Sequence, residues 1–142
     1  MLIQPYLFFD GRSEEAIAFY KEAIGAQVLV QMRFGDGPPG ESGCGDGSAP
    51  PPDKIMHACL QIGDTQLMLS DGFSLGNAEF KGITLSLTAP DDGEARRLFD
   101  RLAAGGTITQ ALAPSFFASS FGMLSDRFGV SWMVVVPLPM AA

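Results

Sequence analysis

The chain has 142 residues, with a single histidine, two cysteines, one tryptophan, and nine lysines and arginines against sixteen aspartates and glutamates. Each shortage closes a route. One imidazole does not supply the two or three that a zinc or iron centre ordinarily draws on. Two cysteines, Cys44 in a Gly/Pro-rich stretch and Cys59 in a strand-like run, make no disulfide framework. They read as free thiols in a reducing compartment. A formal charge of −7 leaves no basic face with which to neutralise phosphates. Nucleic acid and anionic membrane surfaces are therefore not expected partners. No apolar run reaches the about 18 residues a membrane span needs. The opening Met1-Leu2-Ile3-Gln4-Pro5-Tyr6 lacks the basic-then-apolar pattern of a secretory signal, so a cytoplasmic location is expected.

What the chain does have is interior. Hydrophobic residues make up 46%, including 11 phenylalanines, which argues for a filled core and against disorder. A domain of this length buries roughly two thirds of its unfolded surface without a covalent staple.

Residues 2–9 predict a strand, and Asp10-Gly11 a turn. Ser13 is placed as a helix N-cap, followed by Glu14 and Glu15, which favour the first turn. Ala16, Ile17, Tyr20 and Ile24 share one helical face, and Gly25 supplies the stop. Residues 26–34 predict a second strand. Residues 35–53 hold little but Gly, Pro, Ser and Asp, and read as a long flexible loop, either a mobile insertion or a lid.

Residues 54–62 and 65–71 predict a hairpin with Gly63-Asp64 at its tip. Met56, Ala58, Leu60 and Ile62 alternate with His57, Cys59 and Gln61; Leu67 and Leu69 alternate with Gln66, Met68 and Ser70. Each strand thus has an apolar face and a mixed one. The sulfur and amide groups of the mixed face suit a cavity lining better than plain solvent.

After a connector at 72–81 the pattern returns. A strand at 83–88 precedes a helix capped by Asp91 or Asp92, with a stripe of Ala95, Leu98, Phe99 and Leu102 ended by Gly105-Gly106. Strands around 107–112, 116–124 and 130–136 complete it. The order strand–helix–three strands therefore occurs twice, over 1–71 and 82–142, with Phe19 and Phe99 read as equivalent positions.

Pro5-Tyr6-Leu7-Phe8-Phe9, Ala16-Ile17-Ala18-Phe19-Tyr20-Lys21, Lys54-Ile55-Met56-His57-Ala58, Leu67-Met68-Leu69-Ser70-Asp71, Phe121-Gly122-Met123-Leu124 and Asp126-Arg127-Phe128-Gly129-Val130 stand in this order along the chain. In this the sequence resembles the PhnB-like branch of the vicinal oxygen chelate superfamily, which includes glyoxalases, bleomycin-resistance proteins and extradiol dioxygenases. The resemblance implies an α+β fold of two βαβββ modules forming a cupped, partly closed mixed barrel with helices outside, and a homodimer. Some relatives carry the label of ubiquinone-pathway methyltransferase. No Gly-rich strand-to-helix turn suited to S-adenosylmethionine is evident here.

Metal-dependent members of that superfamily place His and Glu at four strand positions. The resemblance maps these to Gln4 or Pro5, Met68, the neighbourhood of Thr84, and Met133. The six glutamates (14, 15, 22, 41, 79 and 94) fall in predicted helices, loops or connectors. A metal-free pocket with no cofactor is expected. The residual route is His57 with Cys59 and a third ligand such as Asp71.

The expected pocket lining is His57, Cys59, Gln61, Met68, Ser70, Ser86, Phe116, Phe117, Ser120 and Met133. His57 reads either as a general acid or base or as a pocket-lining side chain bonded to a neighbouring strand. Cys59 reads as a nucleophile or as a small core thiol, and about 6.5–7 Å between alternate strand positions is poor for activation by His57. Phe116, Phe117 and Trp132 read as an aromatic wall or as core. Relatives often hold Arg where Ser120 stands; Arg33 is the alternative anion contact. The leading expectation is a binder of a small, mostly apolar or aromatic molecule. A glyoxalase-type lyase or isomerase, or a dioxygenase, is the second, and a dimeric module with a vestigial pocket the third.

Overall fold

The computed structural model describes residues 1–36, 51–72 and 78–139. The chain divides into Met1–Ala78 and Glu79–Ala142. The first unit runs β1 (Tyr6–Phe8), α1 (Ser13–Ile24), β2 (Gln27–Arg33), β3 (Ile55–Ile62) and β4 (Thr65–Ser70). The second runs β5 (Thr84–Thr88), α2 (Asp92–Ala103), β6 (Thr107–Ala113), β7 (Ala118–Ser125) and β8 (Ser131–Pro137). The fold is α+β, and the βαβββ order occurs twice.

The two sheets have matching topology. Their strand orders are β1-β4-β3-β2 and β5-β8-β7-β6, and neither closes on itself. The first and last strands of each unit pair in parallel, while the hairpin-linked strands pair antiparallel. A parallel neighbour requires a long connection, and the helix with two intervening strands provides it.

The helices match more closely than the sequence suggests. Each is 12 residues long, and the step from Ser13 to Asp92 equals that from Ile24 to Ala103, 79 positions. Tyr20 therefore corresponds to Phe99, both 0% exposed, and Phe19 corresponds to Leu98, both 8% exposed. The pairing of Phe19 with Phe99 is corrected by one position. Ala16 and Ala95, also equivalent, are both fully buried where helix and sheet meet.

In the first unit the helix-facing side of the sheet carries Leu7, Ala58, Leu60, Leu67 and Leu69, all buried. Phe9 continues this side, its ring 6.3 Å from that of Tyr20 on α1. In the second unit Leu124, Trp132 and Val134 do the same, and Gly122 lies directly under Phe99. Trp132 is therefore core, and its indole N–H donates to Asp126 Oδ2 at 2.9 Å.

The start of α1 departs from expectation. The N-cap position is Arg12, with no side-chain cap, and Ser13 is the first helical residue, its buried hydroxyl without a partner. The donors of the turn and helix start are satisfied from far away in sequence: Asp71 Oδ1 accepts the Gly11 N–H at 2.8 Å and the Ser13 N–H at 2.9 Å. A carboxylate there also suits the positive end of the helix dipole. At α2 the expected cap holds, since Asp91 Oδ1 accepts from the Glu94 N–H at 2.8 Å. Gly25 ends α1 in the left-handed conformation at φ 69°, where a Cβ is penalised.

Most of the Gly/Pro-rich stretch, residues 37–50 including Cys44, lies outside the described residues, as do 73–77. Its two ends are joined: the Phe34 N–H donates to Lys54 O at 3.0 Å and the Gly35 N–H to Pro52 O at 2.9 Å. Among the described residues no helix is long and apolar enough to cross a membrane.

Candidate functional site

Strand alternation gives the first sheet a second face, turned away from α1. The register Tyr6↔Met68 and Phe8↔Ser70 on one side, with Cys59↔Met68 and Gln61↔Gln66 on the other, places these residues together on that face. Val30↔Cys59 and Met32↔His57 extend it onto β2. Five of the predicted lining residues, His57, Cys59, Gln61, Met68 and Ser70, are thus brought onto one surface.

Its chemistry is specific. The Tyr6 phenol and His57 Nδ1 are hydrogen-bonded at 2.8 Å, and the two rings stack with centroids 5.5 Å apart. Phe8 continues the aromatic surface, 5.2 Å from Tyr6. Burial raises the phenol's pKa above its ordinary value, against a smaller opposing effect from its hydrogen bond with Ser70. The Cys59 thiol is buried and free, and lies 3.7 Å from Gln66 Oε1. That amide oxygen also accepts from Gln4 Nε2 at 3.0 Å. Among the described residues no base addresses the thiol, and its surroundings suit a packed cysteine rather than a nucleophile. Gln61 turns its amide to Gly63 O at 2.6 Å. Tyr6 is 37% exposed and Phe8 53%, so the two large rings at the ends of β1 form an exposed apolar surface.

The second unit has its own face away from the helix. Ser86↔Met133 and Met123↔Met133 pair across it, and Thr84 and Ser131 share a hydrogen bond at 2.9 Å. Phe121 stands edge-on to Phe117 at 5.0 Å, and Phe117 to the exposed Phe116 at 5.2 Å. Ser86, Met133, Phe116 and Phe117 therefore belong with this second face.

Ser120 does not, and its expected place in the lining is corrected. By alternation Ser120 shares the buried, helix-facing side of β7 with Gly122 and Leu124, and Ser119, beside a register shift between Ala118 and Ser120, reaches the start of α2 as well. Their hydroxyls bond Asp92 Oδ1 at 2.7 and 2.6 Å. These bonds, Ser120's first, hold the Asp92 carboxyl below the usual carboxylate range. Arg33 is likewise spoken for: its Nη2 pairs with Glu14 Oε1 at 2.6 Å.

The donor set does not fit a metal. The mapped superfamily positions present the Gln4 amide or the Pro5 ring, which carries no donor, a hydroxyl and two thioethers. The residual route fails on geometry. Asp71 spends Oδ1 on Gly11 and Ser13 and Oδ2 on the Ile55 N–H at 2.9 Å, and His57 Nδ1 is bonded to Tyr6. Among the described residues no three His, Cys, Asp or Glu side chains gather in a ligating group.

Tyr6 is the partner of His57 that the sequence alone does not announce. It lies in a predicted strand, but its link to His57 exists only through the parallel pairing of β1 with β4.

Two helix-backed open sheets in βαβββ order define a protein of the glyoxalase/bleomycin-resistance/dioxygenase fold. The fold is shared with a glyoxylase/bleomycin resistance protein/dioxygenase domain from Frankia sp. EAN1pec, at 17% identity and TM-score 0.62, covering 96% of this chain and 94% of that one. Residues 2–135 match the family described as 3-demethylubiquinone-9 3-methyltransferase, and the chain belongs to that family, in its PhnB-like branch. It is 38% identical to Protein YjdN of Escherichia coli, over 96% of this chain and 95% of that protein. It is 40% identical to protein PA1353 from Pseudomonas aeruginosa, with TM-score 0.83 and coverage of 96% and 98%. A putative 3-demethylubiquinone-9 3-methyltransferase, PhnB protein, from Bacillus cereus is 25% identical, with TM-score 0.77 and coverage of 96% and 99%.

Proposed function

We propose that the protein binds a small, mostly apolar or aromatic molecule without metal chemistry, on the face of the first sheet formed by Tyr6, Phe8, His57 and Met68. The observation that carries this reading is the pair of half-exposed rings, Tyr6 and Phe8, set beside one polar contact, the Tyr6–His57 hydrogen bond. An apolar platform with a single oriented polar group is the usual make-up of a small-molecule site. We take the protein to be cytoplasmic and homodimeric, a second copy covering part of these open faces.

The family's description names a methyl transfer. Support for binding over transfer lies at the two strand-to-helix turns, where a nucleotide-like cofactor would seek helix N-terminal donors. At α1 the first helical N–H, that of Ser13, is bound to Asp71, as is the N–H of Gly11 in the turn before it, and at α2 the N–H of Glu94 is bound to Asp91.

The test uses methionine methyl groups as reporters. Met32 and Met68 lie on the first face, Met123 and Met133 on the second. Protein labelled with ¹³C at its methionine methyls is titrated with a library of neutral aromatic fragments, with and without EDTA, after metal analysis of the purified protein. Shifts confined to Met32 and Met68 and insensitive to EDTA are expected. Stoichiometric zinc, nickel, manganese or iron whose removal abolishes binding would overturn the reading in favour of a metal-dependent lyase, isomerase or dioxygenase. No shift with any fragment would leave a vestigial face.

A further inference from the structure

Gln4 stands just ahead of β1, and Gln66 lies in β4. Tyr6 faces Met68 in the parallel pairing of these strands, and two residues back along each, on the same side of the sheet, come Gln4 and Gln66. Their side chains meet. Gln4 Nε2 donates to Gln66 Oε1 at 3.0 Å, and the Cys59 thiol lies 3.7 Å from the same oxygen. Both glutamines are half-buried.

Each amide holds one carbonyl oxygen and one NH₂ group. The bond between them uses the nitrogen of Gln4 and the oxygen of Gln66. Among the described residues the Gln4 oxygen and the Gln66 nitrogen have no partner. The surplus is the same whichever way the amides are turned. With both reversed, Gln66 donates to Gln4, and one oxygen and one nitrogen are again left over. The pair therefore offers one acceptor and one donor. In the second unit the backbone bond from Ala89 to Val135 matches that from Phe9 to Ser70, so Thr84 and Ser131 correspond to Gln4 and Gln66. Their hydroxyls bond each other at 2.9 Å, but hydroxyls rotate to suit any partner and impose no such pattern. The ionic groups flanking the first sheet are committed elsewhere: Arg33 to Glu14, Lys54 Nζ to Gly11 O at 3.1 Å, and Asp71 to backbone N–H groups. None of these offers a counter-ion to a charged ligand.

From these contacts we infer that the molecule recognised on the first face is an uncharged aromatic lactam. Its N–H and C=O stand side by side on a cis-amide and close a ring of hydrogen bonds with the two glutamines, while its flat rings lie against Tyr6 and Phe8. The ring closes in either direction. The lactam accepts from Gln66 and donates to Gln4, or the reverse with both amides turned. This rests on the binding reading above and adds a second polar contact to it. Gln4 and Gln66 are the residues that determine specificity.

The test compares 2-quinolinone with its 1-methyl derivative, which keeps the rings and the carbonyl and loses the N–H. Calorimetric titration of the unmodified protein is expected to show 2-quinolinone binding about tenfold tighter, because the methyl compound leaves an amide acceptor unpaired. In Gln66→Met, which keeps the side chain's length and removes its amide, the two compounds are expected to bind alike. Gln4→Met, ahead of the strand, removes the other half of the pair and is expected to give the same result. Equal affinities in the unmodified protein, or a preference that survives both substitutions, overturn the ligand class and leave the binding reading standing. If neither quinolinone binds while other neutral aromatic fragments shift Met32 and Met68, the ligand class alone fails. If no aromatic compound binds, the ligand class and the binding reading fail together.

Discussion

Asp71, just past the end of β4, accepts the backbone N–H of Ser13 at the start of α1, at 2.9 Å. The same carboxylate takes the N–H groups of Gly11 and of Ile55, the first residue of β3. One side chain, 1% exposed, thus joins a turn, a helix end and the two central strands of the first sheet. It does for α1 what a local cap would otherwise do.

Removing it leaves three backbone donors short of an acceptor, all in or beside the core. Asp71→Ala is expected to destabilise the protein by about 3–5 kcal/mol, given about 1–3 kcal/mol per buried unsatisfied donor and partial rescue by water. Asp71→Asn keeps an acceptor oxygen and is expected to cost clearly less. Urea unfolding of the two variants checks this, and equal losses would mean that one acceptor oxygen of the same size does not replace the charged carboxylate with its two.

In the second unit the corresponding sensitivity lies at Gly122 on β7. A Cβ there would come 2.7 Å from Phe99 Cε2 and 2.9 Å from Leu112 Cα. The first contact is with the buried ring that fills the place of Tyr20, and the second is with backbone, so neither neighbour gives way cheaply. Gly122→Ala is expected to cost about 1–3 kcal/mol through overpacking, in spite of alanine's better backbone entropy. A paired Phe99→Leu change should recover part of the loss, and thermal unfolding of the single and double variants measures the coupling.

How far the residues alone pointed to this arrangement depends on the range of the interaction involved. The mixed face of β3 and β4 is legible because a period of two is a local property: His57, Cys59 and Gln61 fall opposite Ala58 and Leu60 whatever the tertiary fold. The stripe of α2 is legible for the same reason. Tyr6 as the partner of His57 is not, because 51 positions separate them and only the parallel β1–β4 pairing brings them together. Ser13 looks like a cap because serine often is one; here Asp71, 58 positions away, does that work. Ser120 goes astray for a third reason. It shares its side of β7 with Gly122 and Leu124, while Ser119, Phe121 and Met123 take the other, and neither set shows by composition that it is the one meeting the helix.

This end of β7 has a pH signature. The hydroxyls of Ser119 and Ser120 both bond Asp92 Oδ1, and the two bonds lower the Asp92 pKa. The folded carboxyl therefore titrates below its unfolded counterpart. As pH falls, the unfolded chain takes up its proton first, and stability drops through the interval from the ordinary carboxylate range down to the folded value. The stabilisation is complete above that range and absent below both values. Glu14, lowered chiefly by its hydrogen bond to Arg33, acts with the same sign in the same interval. In the double variant Ser119→Ala, Ser120→Ala the Asp92 contribution should disappear while that of Glu14 remains. The stability difference between the original protein and the variant is then expected to be constant near neutrality and to shrink as pH is lowered through the carboxylate range. Urea midpoints measured from pH 7 down to the acid limit of folding check the sign. A difference that widens toward acid would show that the two hydroxyls favour the protonated carboxyl instead.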